Sequence, residues 1–323
     1  MAVYTHVTRD DAEAFVTQFD IGAVTLLEPI SEGIENSNFR LETTVGRFIL
    51  TLYEARVRET DLPYFVGLMD HLAALGFPCP VPVRDRSGTV LHRLAGRPAA
   101  IVTFLDGSWP RTPGPEHCRA LGETIARLHL ASRGFALHRP NDLSLDAWRP
   151  LFEARAARAD ELRPGFAAWV ATALADVEAL WPRDLPSGTI HADLFLDNVF
   201  FRDGRISGVI DFYFACDDLY AYDLAICMNA WCFDRHGIFA ADRAAALFAG
   251  YSSVRPLTRE EVRAMPVLAS GAALRFLVTR LYDWFLPQDG AITRRKDPLE
   301  FVPVIEHHRA VADSSAYGID CGA

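Results

Sequence analysis

Residues 191–211 read HADLFLDNVFFRDGRISGVID and set His191, Asp193, Asn198 and Asp211 at short, ordered intervals. Asp193 stands two residues after the histidine, four residues separate it from Asn198, and Asp211 closes the apolar run Ile206-Ser207-Gly208-Val209-Ile210. These residue types in this order suit phosphoryl transfer from ATP: a carboxylate to accept a hydroxyl proton, then an amide and a second carboxylate to hold magnesium. Mg²⁺ takes hard oxygen ligands and fills its remaining positions with water and phosphate oxygens. Taken singly, each residue is ordinary turn chemistry, because Asp and Asn are turn formers. The whole pattern, with a turn and an apolar strand between Asn198 and Asp211, is not.

Positioning these groups requires a strand over 188–190, a loop, a strand over 198–201, a turn at Asp203-Gly204 and a strand over 206–210. Asp-Gly favours the positive φ of a tight hairpin. A hairpin brings its open ends together, so Asn198 and Asp211 should approach each other, with Asp193 in the adjoining loop where a hydroxyl can enter. Upstream, periodicity predicts a helix over 8–19, capped by Thr8 or Asp10, with Ala12, Phe15, Val16 and Phe19 on one face. Strands follow over 25–30, 39–43 and 47–53, then a helix over 62–75 with a stripe of Leu62, Phe65, Leu68, Met69 and Leu72, stopped by Gly76. A hairpin of 83–86 with 89–94 around Ser87-Gly88 and a strand over 99–105 complete a β-rich region. Helices are expected over 116–131, 148–161, 166–181, 222–233, 243–251, 259–286 and near 301–312. The layout is a small β-rich lobe, 1–106, and a larger helical lobe, 107–323, divided at Asp106-Gly107-Ser108 with a cleft between.

A chain of 323 residues can bury two such cores. Its 50% hydrophobic and 23% charged residues are ordinary for a soluble globular protein. A net charge of −10 without a basic stripe argues against a nucleic-acid partner and leaves any phosphate site to local groups. Six cysteines without a C-x-x-C pair read as reduced, buried residues of a cytoplasmic protein. The N-terminus lacks a signal-peptide pattern, and no uninterrupted apolar stretch approaches the roughly 20 residues of a membrane span. Lys296 is the only lysine.

The chain resembles the aminoglycoside-phosphotransferase and choline-kinase-like superfamily, relatives of the protein kinases, and within it the homoserine kinases that serve threonine synthesis. The resemblance is carried by GIENSNFRLETTVGRFILTLYE (33–54), DLPYFVGLMDHLAALGFPCP (61–80), LGETIARLHLAS (121–132), IDFYFACDDLYAYDLAICMNAWCFD (210–234) and ALRFLVTRLYD (273–283). It implies an α+β, two-lobed, protein-kinase-like fold, with a small antiparallel β lobe and a larger, mainly helical one. By position, Asp193 matches the catalytic base, Asn198 and Asp211 the magnesium ligands, and His191 the histidine that orients the catalytic segment. Asp223 matches a carboxylate that braces that segment through backbone N–H groups; a plain helix N-cap is the other reading. The loop bearing Ser31, Gly33, Asn36, Ser37 and Asn38 matches the cover over the ATP phosphates, and Thr103, Phe104 and Leu105 match the adenine-binding hinge. The superfamily's third-strand lysine is replaced by Thr51, which leaves the phosphate charge to Mg²⁺, to loop donors, or to Arg47, Arg56 or Arg58. An L-homoserine acceptor brings a carboxylate, which wants an arginine fork, and an ammonium, which wants carboxylates or carbonyls. Tyr213, Asn229, Trp231, Arg275, Arg280 and Asp283 are the residues available for it. A sister kinase acting on a choline-like amine, methylthioribose or an aminoglycoside, or a non-catalytic kinase-like binder, are the alternatives.

Overall fold

The computed structural model describes residues 5–30, 36–54, 57–286 and 295–319. Helix α1 (Arg9–Val16) begins at Thr8, whose hydroxyl accepts the Asp11 N–H while the Asp11 carboxylate accepts the Thr8 N–H. This capping box selects Thr8 over Asp10 as the cap. Strands β1 (Val24–Pro29), β2 (Ser37–Thr43) and β3 (Arg47–Leu52) lead to helix α2 (Leu62–Ala74), and β4 (His92–Leu94) and β5 (Arg97–Thr103) follow. Together the strands form an antiparallel sheet in the order β1-β2-β3-β5-β4.

The period of two in these strands separates two cores. Phe39, Leu41, Phe48, Leu50, Leu52, Ala99 and Ile101 pack with Phe15, Val16 and Phe19 of the α1 segment. Tyr53, Ala100 and Val102 instead join the apolar face of α2 in the large core, which is continuous with the helical part of the chain. The expected hairpin around Ser87-Gly88 is only a turn, closed by the Asp85 carboxylate on the N–H groups of Ser87 and Thr89. Val83 donates to Ile101 O (2.8 Å) instead. The hairpin forms one turn later, where β4 pairs with β5 through Ala95 and Gly96, both at positive φ (49° and 78°).

The rest of the chain comprises α3 (Pro115–Ala131), α4 (Leu145–Glu153), α5 (Ala156–Ala159), α6 (Phe166–Leu180), β6 (Ser187–Ile190), β7 (Val199–Arg202), β8 (Arg205–Val209), β9 (Cys216–Leu219), α7 (Tyr220–Trp231), α8 (Ala241–Val254), α9 (Arg259–Trp284) and α10 (Val302–Ala310). The single helix expected over 148–161 is broken between α4 and α5. There Arg155 leaves helical geometry to lay its guanidinium over the Tyr282 ring (4.3 Å) and donate to Tyr282 O (3.3 Å). β9, which no periodicity announced, pairs with β6. Helix α9 is long and apolar enough by composition to cross a membrane, yet its middle, from Leu268 to Val278, lies inside the core. Helices α3 and α8 meet backbone to backbone through two glycines: a Cβ on Gly122 would lie 2.1 Å from Leu247 O, and one on Gly250 2.1 Å from Arg119 O. Cys79, Cys118, Cys216, Cys227 and Cys232 are free and buried, and Cys321 lies outside the described residues.

Candidate active site

The hairpin of β7 and β8 turns at Asp203 and Gly204, both at positive φ (52° and 74°), as Asp-Gly requires. At its open end a short 3₁₀ turn, Leu196–Asn198, leads into β7, and Ile210 N–H donates to Asn198 O (3.0 Å). Asp211 is therefore one residue from the backbone partner of Asn198. The Asn198 Nδ2 donates to Asp193 O (2.7 Å) and lies 3.4 Å from Asp193 Oδ2. With its amide nitrogen so engaged, Asn198 presents Oδ1 as the free acceptor. Among the described residues no cluster of three His, Cys, Asp or Glu side chains could hold an ion. The Asn198 amide oxygen and the Asp211 carboxylate are hard donors of the kind Mg²⁺ takes, and would need phosphate oxygens and water to complete its shell.

Two strained residues frame this site. Ala192 (φ 63°) and Asp211 (φ 65°) occupy the left-handed region, which costs a residue other than glycine roughly 1–2 kcal/mol. Both are pinned by buried hydrogen bonds. His191 donates through Nε2 to Ile210 O (2.9 Å), next to Asp211. The histidine is fully buried, Nδ1 has no partner among the described residues, and burial lowers its pKa, which favours the neutral ring. Buried behind the loop and bonded to Ile210 O, the ring is placed to position the loop rather than to meet a substrate.

Asp223 pins the other side. Its carboxylate accepts the N–H groups of His191 (3.1 Å) and Ala192 (2.8 Å) and the His129 Nε2–H (3.0 Å). It lies within α7, at the fourth residue of that helix, and its side chain reaches away to the loop backbone. Burial pushes this carboxyl up, but the His129 hydrogen bond and the backbone donors outweigh burial and hold its pKa below the usual value. Burial lowers the pKa of His129 against the pull of Asp223, leaving it neutral. The donors then run one way: Arg255 Nη1 to the Tyr251 hydroxyl (3.1 Å), Tyr251 to His129 Nδ1 (2.9 Å), and His129 Nε2 to Asp223. Arg255 is itself held by Glu261 (3.0 Å). His129, Tyr251 and Arg255 were not singled out from sequence; the one available signal was a histidine on the otherwise apolar face of ARLHLA.

Of the residues expected at an acceptor pocket, the structure brings Arg275 to Asp193. Its side chain is 4% exposed, with Nη1 3.8 Å from Asp193 Oδ1 and 3.4 Å from Ala192 O. The guanidinium lies over the rings of Phe276 (4.0 Å) and Phe214 (5.3 Å). Four others brace the fold instead. Tyr213 packs edge-on against Tyr53 (5.3 Å) and Phe65 (5.7 Å), and burial pushes its hydroxyl pKa up to about 12. Asn229 bridges Ala269 O (2.8 Å) and His308 Nε2 (2.7 Å). Trp231 is fully buried and donates to Leu194 O (2.9 Å), steadying the catalytic loop from behind. Arg280 is committed to Glu300 (2.7 Å) and Asp297 O (3.1 Å). Asp283 stands eight residues beyond Arg275 on α9, about 12 Å along the axis at 1.5 Å per residue.

On the nucleotide side, Ser31 and Gly33 lie outside the described residues. Asn36, Ser37 and Thr51 are buried, and each has a hydrogen bond within the lobe. Asn36 Oδ1 accepts Glu54 N–H (3.3 Å), and Ser37 Oγ donates to Glu54 Oε1 (2.7 Å). Thr51 Oγ1 donates to Asn38 Oδ1 (2.8 Å), and among the described residues the Asn38 Nδ2 has no hydrogen-bond partner. Arg47 forks onto Asp106 (2.8 Å to each oxygen), and Arg58 pairs with Asp61 (2.9 Å) and Asp142 (2.7 Å). Neither substitutes for the absent lysine, and Arg56 lies outside the described residues. Lys296 sits over the Phe195 ring (5.6 Å), beside the catalytic loop rather than on β3. In the hinge, Thr103 N–H donates to Val81 O (2.9 Å) and Phe104 N–H to Arg47 O (3.2 Å), whereas the Leu105 N–H is unengaged among the described residues. The hinge is docked on the catalytic hairpin: Ser207 Oγ donates to Asp106 O (2.6 Å), Ser108 pairs with Phe201, and a Cβ on Gly208 would lie 2.7 Å from Leu105 Cδ1. Phe200, also unremarked in the sequence, lies beside Gly107 in this contact.

Residues 26–257 match the phosphotransferase enzyme family. The chain is 56% identical over 319 residues to a homoserine kinase of Rhodospirillum rubrum, covering 99% of both chains. It is 52% identical to a homoserine kinase of Rhizobium meliloti over 99% of this chain and 98% of that one. Among solved structures it is similar to amicoumacin kinase in complex with AMP-PNP, Ca²⁺ and Ami, with a TM-score of 0.69 at 13% identity over 94% of this chain and 92% of that one. That likeness shows a shared two-lobed kinase-like fold. The chain belongs to the phosphotransferase enzyme family.

Proposed function

We propose that this protein is a homoserine kinase, transferring the γ-phosphoryl group of ATP to the hydroxyl of L-homoserine. The observation that carries the reading is the Asp193–Asn198–Asp211 arrangement at the mouth of the hairpin, in a chain whose full-length relatives are homoserine kinases. The acceptor hydroxyl hydrogen-bonds to Asp193, whose carboxylate takes the proton as the oxygen attacks phosphorus in line. Asn198 holds the Asp193 backbone through Nδ2, and its Oδ1 and the Asp211 carboxylate would hold Mg²⁺. When bound, the ion would neutralise charge on the phosphate oxygens. With Thr51 neutral and buried, that ion and the Asn38 amide carry more of this work than they would beside a lysine.

The Leu105 N–H meets the edge of adenine, and the chain divides at Asp106-Gly107 into a nucleotide-binding lobe, 1–106, and a catalytic and acceptor lobe, 107–323. The enzyme works in the cytoplasm, where ATP and free amino acids are at hand. Positioning and charge neutralisation supply most of the rate, with no covalent enzyme intermediate. A coupled assay of ADP release over hydroxylated amino acids, amines and sugars tests the reading. Turnover should be highest with L-homoserine; preference for an amine or a sugar would reject it while leaving the family assignment intact.

A further inference from the structure

We infer that Arg275 reads the carboxylate of the acceptor and so makes this site specific for a hydroxy-amino acid over the corresponding amino alcohol. The inference deepens the homoserine-kinase reading and rests on it. Arg275 rises from the middle of α9 and is 97% buried (3% exposed). A guanidinium carries five N–H donors, yet among the described residues its side chain makes one hydrogen bond, to Ala192 O at 3.4 Å, and one loose ion pair, to Asp193 Oδ1 at 3.8 Å. A buried charge normally carries full pairing because desolvation is expensive. Arginines elsewhere in the chain obey that rule: Arg255 has Glu261 and Tyr251, and Arg139 has Asp61 and Asp142. Arg275 is also fixed in plane by Phe276 and Phe214, so its fork is preorganised.

The distances suit one small ligand. Bonds of about 1.5 Å put the hydroxyl of homoserine about 5 Å from its carboxylate. A hydroxyl on Asp193 and a carboxylate on Arg275, each at about 2.8 Å, close a ring with the 3.8 Å between the two protein groups. The same guanidinium repels the ammonium of an acceptor that has no carboxylate. Because it touches the base, Arg275 also couples acceptor recognition to the placing of Asp193.

The test compares L-homoserine with 3-aminopropan-1-ol, which is homoserine without its carboxylate, in the wild type and in Arg275→Met and Arg275→Lys, by steady-state ADP release. In the wild type, kcat/KM should favour homoserine by about 10²-fold or more, the scale of a buried charge pair. In Arg275→Met that preference should collapse toward parity, with the loss mainly in the KM for homoserine. Arg275→Lys, which keeps the charge and loses the fork, should fall between. If Arg275→Met fails to fold, as judged by thermal melting with and without MgATP, the ratio in Arg275→Lys decides: an unchanged ratio overturns the inference. An equal loss for both acceptors, or a rise in the KM for ATP, also overturns it, the latter by moving Arg275 to the phosphates. If the wild type does not phosphorylate homoserine, the homoserine-kinase reading falls first and takes the inference with it.

Discussion

Replacing Asp223 by Asn removes one charge and few atoms, so its effect can be worked from three hydrogen bonds. The carboxylate accepts three donors, from His191 N, Ala192 N and His129 Nε2, in a fully buried setting. An amide in its place has one acceptor oxygen, and its NH₂ must face at least one of those donors. Breaking a buried charged set by altering one partner costs about 3–5 kcal/mol. The same bonds hold Ala192 in the left-handed region, so part of that loss appears as relaxation of the catalytic loop. A displacement of Asp193 on the order of 1 Å would cost ~10²-fold in turnover. Urea unfolding of Asp223→Asn should therefore show a loss of about 3–5 kcal/mol, and ADP release a fall in kcat of ~10²-fold or more, with the KM for ATP less affected. A variant with wild-type unfolding free energy and wild-type kcat would refute the bracing role of Asp223 and of the relay behind it.

Acid should weaken the fold before carboxylates protonate. His129, His191 and His308 are buried, and burial holds their pKa values below the ordinary histidine value of about 6.5, that of His308 falling to about 3. Folded values below unfolded ones mean stability that is complete above pH 6.5 and lost as pH falls toward 3, at up to about 1.4 kcal/mol per unit for each group; urea midpoints that stay flat from pH 7 to 5 would contradict this. Gly122→Ala drives a methyl group against Leu247 O and Tyr251 N (2.1 and 2.7 Å), so it should cost about 1–3 kcal/mol and lower kcat by shifting Tyr251; thermal melts and ADP release check both. Trp231→Phe removes the indole N–H and five-membered ring, orphaning Leu194 O, which should cost about 1–3 kcal/mol for the lost hydrogen bond plus the packing lost around the smaller ring, and slow turnover without changing the KM for ATP. Thr51→Val loses the hydroxyl that bonds Asn38 and Tyr213, about 1 kcal/mol per hydrogen bond by denaturant melt, and should leave turnover within a few-fold of wild type.

What was legible in the chain was whatever local chemistry decides. Asp203-Gly204 announced its hairpin because the turn needs positive φ, and the capping residues of α1 stand within one helical turn. The misses are tertiary. Ala95-Gly96 turns the β4–β5 hairpin although alanine carries no turn signal. Helix 148–161 breaks because Arg155 finds Tyr282, 127 residues away. β9 exists only as the partner of β6.

The active site divides the same way. Asp193, Asn198 and Asp211, the proposed reacting and metal-holding residues, fall within a short stretch of chain, so their juxtaposition follows from local hairpin geometry. His129, Tyr251 and Arg255 do not, because their polar partners are distant in sequence and a lone histidine on an apolar helix face has no visible acceptor. The partners of Thr51 and Ser37, Asn38 and Glu54, lie 13 and 17 residues away and are not announced by local sequence.

Asp193→Asn, assayed with MgATP and L-homoserine beside the wild type, bears most directly on the central claim, with ³¹P NMR to identify O-phosphohomoserine and a thermal melt to confirm folding. The wild type should form that product, and the variant should lose roughly 10²–10⁴-fold in kcat while keeping its melting temperature and its affinity for MgATP. A wild type that forms no O-phosphohomoserine, or a folded Asp193→Asn enzyme with undiminished turnover, would contradict the account.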